Sequence, residues 1–80
     1  MKIKNDSSVI DCTPIVIYDG CHPNRWVLRH IPEDHFPYVI HRENMKLASD
    51  GNTWEHSDFY NGHYFATLDS ATAEFEKKMK

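Results

Sequence analysis

The chain has 80 residues, of which 40% are hydrophobic and 12% aromatic, with nine Lys or Arg against twelve Asp or Glu. A chain of this length forms one small domain at most, and its apolar content is too high for a disordered protein. The formal net charge of −3 argues against direct nucleic-acid binding, because affinity for phosphate comes mostly from Lys and Arg.

The N-terminal segment predicts neither a secretion signal nor a membrane span. Residues 1–8 are polar and no apolar segment follows them, so we expect a cytoplasmic protein with two reduced cysteines. The longest apolar run, residues 15–18, is too short to cross a bilayer. We interpret residues 1–8 as a flexible N-terminal arm and residues 9–80 as a single compact domain.

Three segments in the first half of the chain predict strands. Residues 14–18 are rich in β-branched side chains and end at the turn former Gly20, residues 25–31 alternate between two faces, and residues 38–42 follow a proline-bounded turn. Cys12 and Cys21 flank the first segment, and six extended residues span about 20 Å. That separation excludes both a disulfide and a shared zinc ion between the two cysteines.

Residues 54–65 are the most unusual part of the sequence, because they hold five of the ten aromatic residues. They also contain Asn61-Gly62, a pair typical of tight β-hairpin turns. We therefore predict an aromatic hairpin in which residues 53–60 pair with residues 63–67. In this hairpin Tyr60 faces His63, on the same side as Trp54 and His56.

The C-terminal segment predicts a helix that begins at the N-cap Thr67 and carries Asp69 in its first turn. Its apolar stripe consists of Leu68, Ala71, Phe75 and Met79. Together these elements predict an α+β fold, an antiparallel β-meander of four to five strands with one C-terminal α-helix packed on one face. One helix covers only one face of a sheet, so some aromatic side chains are expected on the other.

No motif of a known catalytic site occurs in the chain. His30, His35 and His41 have spacings close to those of zinc ligands, but no second motif completes a four-ligand site. We therefore predict neither enzymatic activity nor a metal ion or other cofactor. A His-dependent small enzyme or metal-binding protein built on these three histidines is the alternative, and a local basic patch of Arg25, Arg29 and Arg42 also remains open.

Residues 47–76 contain six acidic residues and no Lys or Arg, which gives this window a charge of −6. Tyr and Trp are enriched at the centres of protein interfaces, and an acidic surface complements a basic groove on a partner. We therefore hypothesise a small non-enzymatic protein-binding module. The predicted partner-binding residues are Trp54, Glu55, His56, Asp58, Tyr60 and His63.

Small α+β proteins without catalytic motifs are common among the accessory proteins of phages and mobile elements. By analogy of size and architecture, we expect an inhibitor that occludes a surface of a larger host complex, as anti-CRISPR proteins and other anti-defence proteins do. A homodimeric structural or regulatory protein that pairs through an open sheet face or an edge strand is a further alternative.

Overall fold

The computed structural model describes residues 2–17, 20 and 22–79. Five strands and one helix follow in the order β1 (Lys2–Ile3), β2 (Val9–Cys12), β3 (Asn24–His30), β4 (Tyr38–Leu47), β5 (Thr53–Phe65) and α1 (Leu68–Lys78). The strands form one sheet, so the fold is α+β, as the sequence predicts. Within the described ranges no helix is both long enough and apolar enough to cross a membrane.

The strand order in the sheet is β1-β5-β4-β3-β2. Strands β2 to β5 form an antiparallel meander, but β1 lies outside β5 and runs parallel to it, so the prediction of a simple meander is wrong for β1. Because β1 and β2 lie at opposite edges, residues 4–8 must cross one face of the sheet. We call these residues the strap.

The predicted division into a flexible arm and a domain over residues 9–80 stays a prediction. In the structure, Lys2 and Ile3 pair with Thr53 and Trp54 of β5. At the other end of the strap, the Ser8 carbonyl accepts a 2.9 Å hydrogen bond from the backbone N–H of His30. The strap is therefore attached to the sheet at both of its ends.

The strand predicted over residues 14–18 is wrong for its described part. Only an isolated bridge occurs there, in which Val16 and Asn24 exchange backbone hydrogen bonds of 2.7 and 3.0 Å. The place beside β3 is taken instead by β2, which reaches it directly from the strap. Tyr18, Asp19 and Cys21 lie outside the described residues, so the predicted absence of a Cys12–Cys21 link stays a prediction.

Helix α1 packs on one face of the sheet and forms the apolar core there. Ala71 and Phe75 are buried against Leu28 and Ile40. The predicted N-cap is confirmed, because Thr67 accepts a hydrogen bond from the backbone N–H of Ser70. The ends of the predicted apolar stripe, Leu68 and Met79, are 42% and 52% exposed, so only its middle contacts the sheet.

The face opposite the helix is closed by the strap and by a buried ion pair. Arg25 and Glu43 are only 1% and 3% exposed, and the Arg25 Nε donates to Glu43 Oε1 at 2.6 Å. The strap residue Asn5 accepts from Arg25 Nη2 at 2.7 Å. Val27 and Met45 are buried on the same face. The face that the single helix leaves open is therefore covered where the strap crosses it.

Asn61-Gly62 is not a hairpin turn. Strand β5 runs from Thr53 to Phe65 without a break and pairs along its length with β4. Asn61 has a φ of 53°, and with Gly62 it stands opposite the single residue His41, which makes the pair a β-bulge. The predicted hairpin is wrong because a left-handed Asn fits a bulge as well as a turn, and the ten residues of β4 supply a continuous partner.

Strand β5 contains a second bulge at Ser57. The pairs Asn44–Asp58 and Met45–His56 leave Ser57 without an opposite residue on β4. Each bulge shifts the alternation of β5 side chains by one residue. The two bulges together therefore decide which side chains of this strand share a face.

We expect Gly62→Ala to lower the free energy of unfolding by about 1–3 kcal/mol, the usual cost of overpacking. A Cβ at this position would lie 2.9 Å from His41 Nε2. The His41 ring cannot withdraw freely, because it stacks on Phe59 with the ring centroids 4.9 Å apart. Urea denaturation measures the effect, with Ser57→Ala at the other bulge as the control. Equal stability of Gly62→Ala and the wild type would contradict the close contact.

We expect Arg25→Ala to destabilise the fold by about 3–5 kcal/mol, because it leaves the Glu43 carboxylate buried without its cation. The double variant Arg25→Met/Glu43→Leu removes both charges and should be more stable than Arg25→Ala. Urea denaturation of both variants gives the comparison. If the double variant is less stable than Arg25→Ala, the two side chains stabilise the fold by more than cancelling each other's buried charge.

Candidate partner-binding site

The two bulges bring four of the six predicted binding residues onto the face of the sheet that carries α1. Glu55, Asp58, Tyr60 and His63 stand opposite Lys46, Asn44, Arg42 and Ile40 of β4. These β4 partners are every second residue of a strand, so they share one face, and directly paired residues point the same way. Without the bulges, Glu55 and His63 would point away from Asp58 and Tyr60. We call these four residues the acidic stripe.

Trp54 and His56 lie on the opposite face, beside the strap. They pair with Leu47 and Met45, and His56 Nδ1 is 3.0 Å from Glu43 Oε2. The prediction that they share a face with Tyr60 and His63 is wrong, because the bulge at Ser57 reverses the alternation between them. The predicted cross-strand pair of Tyr60 and His63 is also absent, since both residues belong to one strand.

The acidic stripe is open to solvent, and its charges are only partly neutralised. Tyr60 is 38% exposed, and Asp58 and His63 are also exposed. Asp58 accepts a 3.0 Å hydrogen bond from the uncharged Asn44, while the Lys46 Nζ is 3.9 Å from a Glu55 oxygen. An exposed ion pair at that distance contributes little, so both carboxylates remain available to a partner.

The outer edge of β5 is also open beyond its first residues. Strand β1 pairs only with Thr53 and Trp54, and no other strand of the described chain lies outside β5. An unpaired strand edge presents free N–H and C=O groups that a second chain can bind. The acidic stripe therefore lies next to the one long edge of β5 that the sheet leaves unpaired.

A groove of about 220 Å³ separates α1 from β5 at the far end of the stripe. Its floor is the fully buried side chain of Ile40, and His63 belongs both to the groove and to the stripe. Sequence reasoning missed this groove, because it depends on how α1 crosses the sheet. Its lining residues are Ile40, His63, Phe65, Glu74 and Lys78.

The three histidines of the alternative enzyme or metal site are not brought together. His30, His35 and His41 each pack against a different aromatic ring, with centroid distances of 4.7, 4.9 and 4.9 Å. Among the residues that the structure describes, no group of three or more His, Cys, Asp or Glu side chains is placed to hold a metal ion. The spacing of these histidines in the sequence therefore has no counterpart in space.

The three arginines of the possible basic patch also separate. Arg25 is buried against Glu43, and the Arg29 guanidinium lies 4.3 Å from the Phe59 ring centroid on the same face. The Arg42 guanidinium lies 4.8 Å from the Trp26 ring centroid on the helix side. Arg25 is buried, and Arg42 lies on the face of the sheet opposite to Arg29. The three arginines therefore do not form a common surface.

His41, His56 and Arg29 surround the Phe59 ring on the strap side of the sheet. A carboxylate bound to a histidine is the usual support of a catalytic base. Here, however, Glu43 is also 2.6 Å from Arg25, which compensates its charge. We therefore interpret the contact between Glu43 and His56 as a structural link between β4 and β5.

Burial lowers the pKa of His41 below its usual value of 6.5, and the nearby positive charge of Arg29 lowers it further. Glu43 acts in the opposite direction with a smaller effect. The unfolded chain consequently binds a proton at this residue more readily than the folded chain does. The contribution of His41 to stability is complete above pH 6.5 and is lost as the pH falls below that value and through the lowered pKa of the folded state.

We expect His41→Phe, which keeps an aromatic ring on Phe59, to lose less stability than the wild type when the pH is lowered from about 7.5 to about 5.5. Urea denaturation at both pH values measures the difference. His22→Phe, at an exposed position, is the control and should keep the wild-type dependence. An unchanged pH dependence in His41→Phe would show that the His41 imidazole does not carry the effect.

No family model, curated protein or solved structure matches the chain. The function must therefore be inferred from the side chains and surfaces of this protein itself.

Proposed function

We propose that the chain is a small non-enzymatic protein-binding module whose acidic stripe binds a basic surface on a larger protein. The observation that carries the proposal is the pair of bulges, which aligns Glu55, Asp58, Tyr60 and His63 on one face. β-Bulges are typical of places where a strand must redirect a side chain. Ordinary alternation would have divided these four residues between the two faces.

Electrostatics support a basic partner. Residues 47–76 contain no Lys or Arg and carry a charge of −6. Tyr60 adds an aromatic ring with a polar tip between the two carboxylates and His63, and tyrosines are enriched among the residues that dominate binding energy. Complementary charge speeds association and selects the partner, and salt screens this attraction beyond about 8 Å at physiological ionic strength.

The mode of action that fits such a small protein is occlusion. The molecule measures 37 × 26 × 18 Å, and a typical stable interface buries about 800 Å² on each partner. Binding through the stripe would therefore cover a functional surface of the partner with most of one side of this protein. By analogy of size and architecture, we propose an accessory protein of a phage or mobile element that inhibits a larger host complex in the cytoplasm.

Homodimerisation through the free edge of β5 is the second candidate, and the open backbone groups of that edge favour it. The charge of this region opposes it, because two copies would bring two acidic windows together. Light scattering over a concentration series separates the candidates. We expect a constant mass near the 9.4 kDa of one chain, whereas a mass that doubles with concentration would favour the dimer.

The test is to capture the partner from the cells that naturally make this protein, using the full chain. The same capture is repeated with the variant Asp58→Lys/Tyr60→Ala. We expect this variant to lose the partner, because it reverses one charge of the stripe and removes its aromatic ring. Mass spectrometry of the captured protein and circular dichroism of the variant provide the readouts.

The matched control is Asp34→Lys/Tyr64→Ala, which makes the same two changes at exposed positions outside the stripe. It should capture the same partner as the wild type. Retention of that partner by a folded Asp58→Lys/Tyr60→Ala variant would reject the stripe as the binding surface.

A further inference from the structure

We propose that the groove between α1 and β5 receives one aliphatic side chain of an extended partner segment, whose Lys or Arg residues lie on the acidic stripe. This inference rests on the proposed function and specifies the chemistry of the partner. It joins two features that meet at His63, which lines the groove and ends the stripe.

The size of the groove suits a side chain better than a cofactor. Its volume is about 220 Å³, whereas pockets for small molecules and cofactors typically measure about 300–1,000 Å³. Binding energy at protein interfaces concentrates in single anchor side chains that fill such small pockets. One buried anchor beside a charged stripe is therefore the arrangement that this surface can bind.

The groove favours an apolar occupant, because its floor is apolar and the two charged residues at its rim, Glu74 and Lys78, are opposite in sign. A Glu74 oxygen is 3.0 Å from the Lys77 Nζ, and the Lys78 Nζ lies 4.3 Å from the Trp26 ring centroid. The floor is Ile40, and Phe65 packs against the same core cluster. An aliphatic side chain would cover this apolar surface without removing a charge from its partner.

The register of β4 fixes the spacing of the partner segment. Glu55, Asp58 and Tyr60 stand at the levels of Lys46, Asn44 and Arg42, and the groove lies at the level of Ile40. Successive levels are two strand residues apart, or about 6.8 Å. An extended segment beside β5 therefore places cations at its first and third residues and the aliphatic anchor at its seventh.

The charge of −6 on residues 47–76 favours a segment of another protein over a second copy of this chain. In a symmetric pairing through the β5 edge, a second copy would present its own residues 47–76, which contain no Lys or Arg to pair with Glu55 or Asp58. A segment of a different protein with Lys or Arg at the required spacing gains both charge contacts and the anchor. We therefore assign the groove to a basic and aliphatic segment of another protein.

The probe is the peptide acetyl-Lys-Thr-Lys-Thr-Ser-Thr-Leu-Thr-amide, titrated into the full chain and followed by amide chemical shifts. We expect saturable shifts at the stripe and groove with a Kd of about 1 mM or tighter. A control peptide has Leu at the sixth position and Thr at the seventh, which turns the anchor to the other side of the segment. The control peptide should bind about tenfold more weakly than the first peptide, or more weakly still.

The variant Glu74→Trp fills the groove from the helix surface and should weaken the first peptide to the level of the control peptide. Glu76→Trp removes the same charge and adds the same ring at an exposed helix position, so it should bind as the wild type does. The inference is overturned if Glu74→Trp binds unchanged, if both peptides bind equally, or if no shifts appear at about 2 mM peptide.

Failure of this inference can be told from failure of the proposed function. If a captured partner depends on Asp58 and Tyr60 but binds Glu74→Trp and the wild type equally, the stripe functions without an anchor in the groove. If capture is independent of the stripe as well, the proposed function itself is rejected. Loss of the partner in both Asp58→Lys/Tyr60→Ala and Glu74→Trp, with retention by Glu76→Trp, supports both.

Discussion

The pairing of β4 with β5 organises both faces of the sheet. Strand β4 lies in the middle of the sheet, and its residues contribute to both faces of the core, with Ile40 below the helix and Val39 and Met45 on the other side. Strand β5 has 13 residues and follows β4 over its ten residues only by means of two bulges. Because side chains alternate along a strand, this register fixes what each face presents.

The two faces of the sheet are closed by different interactions. On the helix side, Phe75 and Ala71 bury apolar area against Leu28 and Ile40. On the strap side, Val27, Val39 and Met45 are buried, and the contacts that close this face include the Arg25–Glu43 ion pair and its bond to Asn5. A buried ion pair needs good geometry to offset its desolvation, and the bond from Arg25 to Asn5 connects this pair to the strap.

The proposed binding surface follows from the same register. Helix α1 covers the end of the sheet where Phe65 and Ile40 lie, and it leaves Asp58 and Tyr60 exposed on the same face. Strand β5 thus contributes to the core near Phe65 and is exposed to solvent near Asp58. The groove lies between these two parts of the strand. The surface combines a small groove over Ile40 with two carboxylates that are only partly neutralised.

Features that depend on residues close together in the chain can be predicted from the sequence. The Thr67 cap, the helix after it and the alternation of β3 follow from local hydrogen bonding and periodicity. The acidic window is likewise a property of composition. Pairing between strands that are distant in sequence makes Asn61-Gly62 a bulge, buries Arg25 and places Glu55 on the same face as Asp58. A left-handed Asn satisfies a turn and a bulge equally, and the choice was made by β4, a strand distant in sequence that offered continuous hydrogen bonds.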